Sequence, residues 1–156
     1  MSIQQIKSGV IADDAVTAAK IGSLPAGSVL QVVQVVGGAF STSSTSYVST
    51  GHAATITPTS ATSKVLAIYT ATTNIQASNT AITCAIYRGA TNVTGDAFAL
   101  YGAAGGWISS TTTISYLDSP ATTSATTYTI YAFEGALAGT VNITAGGTLT
   151  LLEIAA

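Results

Sequence analysis

Lys64-Val65-Leu66-Ala67-Ile68-Tyr69-Thr70-Ala71-Thr72 places Leu66 and Ile68 on one face of an extended chain and Val65, Ala67 and Tyr69 on the other. Ala81-Ile82-Thr83-Cys84-Ala85-Ile86-Tyr87-Arg88 repeats the pattern, with Ile82, Cys84 and Ile86 set against Thr83, Ala85 and Tyr87. A period of two in stretches this rich in β-branched residues reads as strand. Working outward, Val29–Val36 is nearly continuous in apolar residues, reads as a strand buried on both faces, and ends at Gly37-Gly38. Residues 45–50 and 53–57 alternate weakly around Gly51, and Pro58 stops the second stretch. A short strand at 98–101 precedes a long Thr-rich one at 107–117, which Asp118-Ser119-Pro120 closes. Residues 128–134, 140–143 and 148–154 complete the series. Short strands at this spacing, with no helix that would persist alone, predict an all-β, antiparallel two-sheet sandwich of the jelly-roll kind.

That domain occupies residues 27–156; residues 1–26 read as a short N-terminal arm. In the arm Ile6, Ile11, Val16 and Ile21 recur every five residues, a spacing that suits neither an α-helix nor a strand. Asp13-Asp14 reads as the cap of a short helix over 15–20, with Gly22 past its end. The four apolar residues are therefore expected to become ordered on a partner, as the arm's points of attachment.

Composition narrows the function. Charged residues are 6% of the 156, against about 25% in an ordinary domain. Four basic residues cannot neutralise a useful row of phosphates, so nucleic acid is not an expected partner. The mean hydropathy is +0.51, yet no run of 18 apolar residues exists and no apolar leader follows Met1, so membrane insertion is not expected. Thr and Ser stand where soluble domains carry Lys and Glu, the residues that keep sheet edges apart. A closed homo-oligomer buries such edges and is the expected state.

From residue 116 the chain reads Tyr116-Leu117-Asp118-Ser119-Pro120-Ala121-Thr122-Thr123-Ser124-Ala125-Thr126-Thr127-Tyr128. This resembles a motif common in distal domains of bacteriophage tail fibres. So do Ile56-Thr57-Pro58 with Ser63-Lys64-Val65-Leu66, Leu24-Pro25-Ala26-Gly27-Ser28-Val29-Leu30-Gln31, and Leu152-Glu153-Ile154. Asp14-Ala15-Val16-Thr17-Ala18-Ala19-Lys20-Ile21 resembles segments that precede such domains in fibre proteins of phages infecting aquatic bacteria. The resemblance implies a trimeric, β-rich virion appendage without enzymatic activity, assembled in the host cytoplasm. It also implies virion partners, in baseplate, tail or capsid, for the N-terminal arm. Tail fibres are usually much longer, with an adaptor and a shaft. The shortness of the arm keeps a capsid decoration protein in view, and a free lectin-like module is a third reading.

Candidate sites follow. His52 is the chain's one imidazole, has no acidic residue within thirty positions, and reads as an exposed loop residue rather than a catalytic base. Asp118 and Glu134 flank one strand connection; a glycosidase would need two such carboxyls about 5–9.5 Å apart, whereas Asp118 reads better as a turn cap near Pro120. Cys84 reads as a buried, inert thiol. No cofactor and no metal site is expected. Lys64, Arg88 and Glu153 sit in predicted strands, either as solvated charges or as pairs that set subunit register near an oligomer axis. Tyr47, Tyr101 and Trp107 are the aromatic candidates for contact with a bacterial surface glycan, although Trp107 suits a core or a subunit interface as well.

Overall fold

The computed structural model describes residues 24–75, 80–102, 108–135 and 139–156. The alternation in the central stretch extends through β4 (Lys64–Ile75), where Val65, Ala67, Tyr69, Ala71, Thr73 and Ile75 all turn inward and are buried. β4 pairs along its whole length with β8 (Ile108–Asp118), from Val65 opposite Asp118 to Ile75 opposite Ile108. Its other edge takes β11 (Thr148–Ile154) and then the short β10 (Val141–Ile143). β1 (Val29–Val36) lies outside β11, and β2 (Phe40–Thr42) outside β10. In the facing sheet β9 (Thr126–Glu134) runs between β3 (Val48–Ile56) and β5 (Thr80–Arg88). β5 carries β7 (Ala97–Gly102) and the two-residue β6 (Thr91–Asn92) on its far edge. Every pairing is antiparallel.

The principal strand orders are therefore β1-β11-β4-β8, sheet A, and β3-β9-β5-β7, sheet B. Strands adjacent in sequence repeatedly fall in opposite sheets, which is the jelly-roll order. Between the sheets lie Ile56, Val65, Tyr69, Ile75, Ile82, Ile86, Tyr128, Ile130, Leu149 and Leu151. Each large aliphatic side chain withdrawn from water there stabilises the fold by about 1.5–3 kcal/mol. Cys84 lies in this core, and burial pushes its thiol up to about 12, so it stays protonated and unreactive.

Two local expectations are corrected. β1 is not buried on both faces: Val33 and Val35 pack on the core, while Val29, Val32 and Val36 are exposed. The reason is position, because β1 is the outermost strand of sheet A and its other face has no layer over it among the described residues. The stretches either side of Gly51 form one strand, β3, interrupted by a bulge between Ser49 and Ala53. Gly51 supplies the positive φ of 78° that the bulge requires. At the N-terminal end Leu24 is exposed, and Gly27 N–H donates to the Ala155 carbonyl at 2.8 Å. Ile6, Ile11, Val16 and Ile21, the residues expected to make the attachment, lie outside the described residues, as does Trp107.

Candidate functional site

β9 alternates as strictly as β4. Tyr128, Ile130, Ala132 and Glu134 point inward, which turns Tyr131 and Phe133 to the outside of sheet B. On neighbouring β5, Tyr87 lies on that same outer face, and Tyr131 tilts over it with ring centroids 4.2 Å apart. A third element completes the cluster. Between β2 and β3 the chain makes a tight turn, with Ser44 Oγ donating to the Ser46 carbonyl at 2.8 Å. Glu134 N–H donates to the Ser44 carbonyl at 2.8 Å, which ties that turn to the end of β9. Tyr47 is thereby laid edge-on against Phe133 at 4.6 Å and Tyr87 at 5.6 Å. Its hydroxyl donates to Asp96 Oδ1 at 2.8 Å, and Asp96 is exposed. Burial, and then the Asp96 carboxylate, push the Tyr47 phenol well above its ordinary range, so it remains a donor throughout physiological pH.

The result is a half-buried aromatic face of Tyr47, Tyr87, Tyr131 and Phe133, rimmed by one carboxylate and by strand hydroxyls such as Thr55 and Thr127. Tyr101, exposed on β7 opposite Ala81, belongs to the same side of sheet B. Of the three aromatic residues predicted for glycan contact, Tyr47 lies inside the cluster and Tyr101 shares its face. Reasoning from sequence missed Tyr87, Tyr131, Phe133 and Asp96. The signal that finds the rings is parity: each sits at an outward position of a strand whose alternate positions face the core.

The other singled-out residues have structural partners. His52 is buried, not exposed on a loop, because the Gly51 bulge turns it into the sandwich. Its Nε2 lies 2.8 Å from the Gly38 carbonyl, which can only accept, so Nε2 carries the proton. Nδ1 then accepts from the Tyr69 hydroxyl at 2.8 Å. A methyl group at Gly37 would collide with the His52 ring, which is why glycine closes β1 there. Asp118 is not a turn cap either. It accepts from Arg88 Nη1 at 2.8 Å and from the Tyr128 hydroxyl at 2.7 Å, tying the end of β8 to β5 and β9. Glu134 lies at the far end of β9 from Tyr128, about 20 Å away at 3.3 Å per residue, so the two carboxyls do not converge.

Within the chain Lys64, Arg88 and Glu153 are not brought together. Arg88 is taken by Asp118, and Lys64 is exposed opposite Ile154 at the start of β4. Glu153 is fully buried and accepts from Gln31 Nε2 at 2.6 Å, Thr59 N–H at 2.7 Å and Thr59 Oγ1 at 2.8 Å. Burial pushes the Glu153 carboxyl upward, but the hydrogen bonds from Gln31 and Thr59 outweigh it and hold the group down at about 2. Glu153 is thus a clamp within the chain that binds β1 and the β3–β4 connection to β11.

These observations define an antiparallel jelly roll with an aromatic outer face on one sheet. No protein-family model and no curated protein matches the chain. Among solved structures, a chain in the structure of infectious bursal disease virus, Gt strain, is similar to it, with a TM-score of 0.53 and 13% sequence identity. The match covers 80% of this chain and 33% of that one, so this chain spans about a third of its neighbour's length. At that identity the likeness is one of fold.

Proposed function

We propose that the chain is a non-enzymatic structural protein of a bacteriophage virion, a trimeric short tail fibre or fibre tip joined to the particle through its N-terminal residues. In this reading the outer face of sheet B contacts a bacterial surface glycan. The observation that carries the binding role is the cluster of Tyr47, Tyr87, Tyr131 and Phe133 beside the exposed carboxylate of Asp96. Sugar rings present apolar C–H faces that pack on aromatic rings, while their hydroxyls seek carboxylate and hydroxyl partners. The rings pack on one another and Tyr47 is tethered by Asp96, so little side-chain freedom is lost on binding. Repeating a weak site on three copies raises the avidity without any new contact.

The virion assignment is supported by the resemblance of the motifs at 24–31, 56–66, 116–128 and 152–154 to tail-fibre domains. A fold shared with a chain in a virus structure also supports it. That same likeness favours a second reading, a decoration protein spread over the capsid. Immunogold electron microscopy of purified virions, with an antibody to residues 28–156, tests both. Gold at the tail is the expected result, and gold over the head selects decoration. Particles without label overturn the virion assignment and leave a free glycan-binding module.

A further inference from the structure

We infer that the outer face of sheet A is the surface through which copies of this chain meet. The inference rests on the homo-oligomer part of the proposed function, and on neither its place in the virion nor its ligand. Directly opposed residues of antiparallel strands point to the same side of a sheet. Val32 is opposite Leu152, Leu152 opposite Leu66, and Leu66 opposite Leu117. An unbroken aliphatic row therefore crosses all four strands on the side away from the core, about 14 Å from end to end. Its two ends are well exposed, Val32 at 58% and Leu117 at 49%. The next row is Gln34, Thr150, Ile68 and Ser115, and the one after it Val36, Thr148, Thr70 and Thr113.

Three features point to a second copy as the occupant. The three rows contain no charged residue; Lys64, opposite Ile154, stands at the margin. Near a symmetry axis each side chain meets its own copy, and a charge there would meet a like charge. Several polar groups on the face are already paired with one another: Gln34 Nε2 donates to Thr150 Oγ1 at 2.9 Å, and the Thr70 and Thr113 hydroxyls bond at 2.9 Å. These bonds survive when water leaves the face, which lowers the cost of burying it. The third feature is β1 itself, an eight-residue edge strand without a proline or a charge, two devices that keep edges from pairing, and regular in register from Gln31 to Val36. Among the described residues β1 pairs with β11 alone, so its outer edge continues the same surface. Together face and edge span roughly 26 Å by 19 Å of pleated surface, of the order that a standard interface takes from each partner.

The test is the mass of the full chain in solution, measured by light scattering on a sizing column at micromolar concentration. Wild type is expected as an oligomer. The double substitution Val32→Lys with Leu117→Lys is expected to run at the protomer mass of 15.5 kDa, with its far-ultraviolet dichroism retained. Tyr101→Lys, on sheet B, is expected to leave the oligomer intact. If the lysine pair unfolds the chain, Val32→Thr with Leu117→Thr serves instead and is expected to raise the dissociation constant at least about tenfold. A double variant that keeps the oligomer mass overturns the face assignment while the oligomer stands. A monomeric wild type overturns both. Amine cross-links within one monomer from Lys7 or Lys20 to Lys64 would show the chain's own N-terminal residues on the face and equally overturn it.

Discussion

The outer faces of the two sheets are built on opposite plans. Sheet B covers itself: Tyr131 lies over Tyr87, and Tyr47 lies against both Tyr87 and Phe133, leaving each ring half buried. Sheet A leaves its outward aliphatic residues uncovered, with Val32 and Val36 more than half exposed. The difference follows from strand chemistry. Aromatic side chains are long enough to reach across strands and shield one another, whereas Val, Leu and Thr are too short to bury anything but a partner's surface. Outward rings on sheet B should therefore matter for folding as well as binding, and outward side chains on sheet A for assembly alone.

The largest expected effect is at the clamp that holds the edge of sheet A in place. Glu153→Gln puts an amide donor among the donors of Gln31 and Thr59, and should cost roughly 3 kcal/mol in denaturant unfolding. The same clamp makes sheet A acid-sensitive. The Glu153 carboxyl is held at about 2, below its ordinary 4.5, so the unfolded chain takes up the proton first as pH falls. Its contribution is complete above about 4.5 and is lost between there and about 2, which unfolding curves at neutral and acid pH will reveal. Glu153→Gln should flatten that dependence. On sheet B the phenols of Tyr47 and Tyr128 are pushed upward by burial and by their carboxylate partners. Their contribution is present below about 10 and lost at higher pH, the opposite sign.

Next in size is Tyr131→Ala, which removes the ring over Tyr87 and should lower stability by about 2 kcal/mol in thermal or denaturant unfolding. The smallest is Val32→Thr alone. Val32 points into solvent in the protomer, so protomer stability should change by less than about 0.5 kcal/mol, while the oligomer weakens. Equal costs for Tyr131→Ala and Val32→Thr in the protomer would break the contrast between the faces.

Much of the fold was legible because strands announce themselves through alternation. β1 and β11 have the bounds read from the sequence pattern, and β4 and β5 show the two alternating faces read for them, with Val65, Ala67 and Tyr69 and then Ile82, Cys84 and Ile86 turned to the core. What periodicity cannot carry is the change of phase at a bulge. His52 looked solvent-exposed beside Gly51, and the positive φ of that glycine is what turns it inward. Long-range partners were equally hidden: Arg88 finds Asp118 thirty residues away, and Glu153 finds Gln31 across 122. The candidate site was half legible. Tyr47 stood out as an aromatic in a Ser/Thr-rich stretch, whereas Tyr87, Tyr131 and Phe133 become a site only when β5 and β9 are neighbours. One-dimensional spacing holds no information on that adjacency.

The most direct test of the division of labour is glycan-array binding of the full chain beside its Tyr131→Ala and Leu117→Lys variants. Wild type should bind a defined set of bacterial surface glycans, Tyr131→Ala should lose them, and Leu117→Lys should keep the same set at reduced avidity. Binding unchanged in Tyr131→Ala, or no glycan retained by wild type, would contradict the role given to the aromatic face.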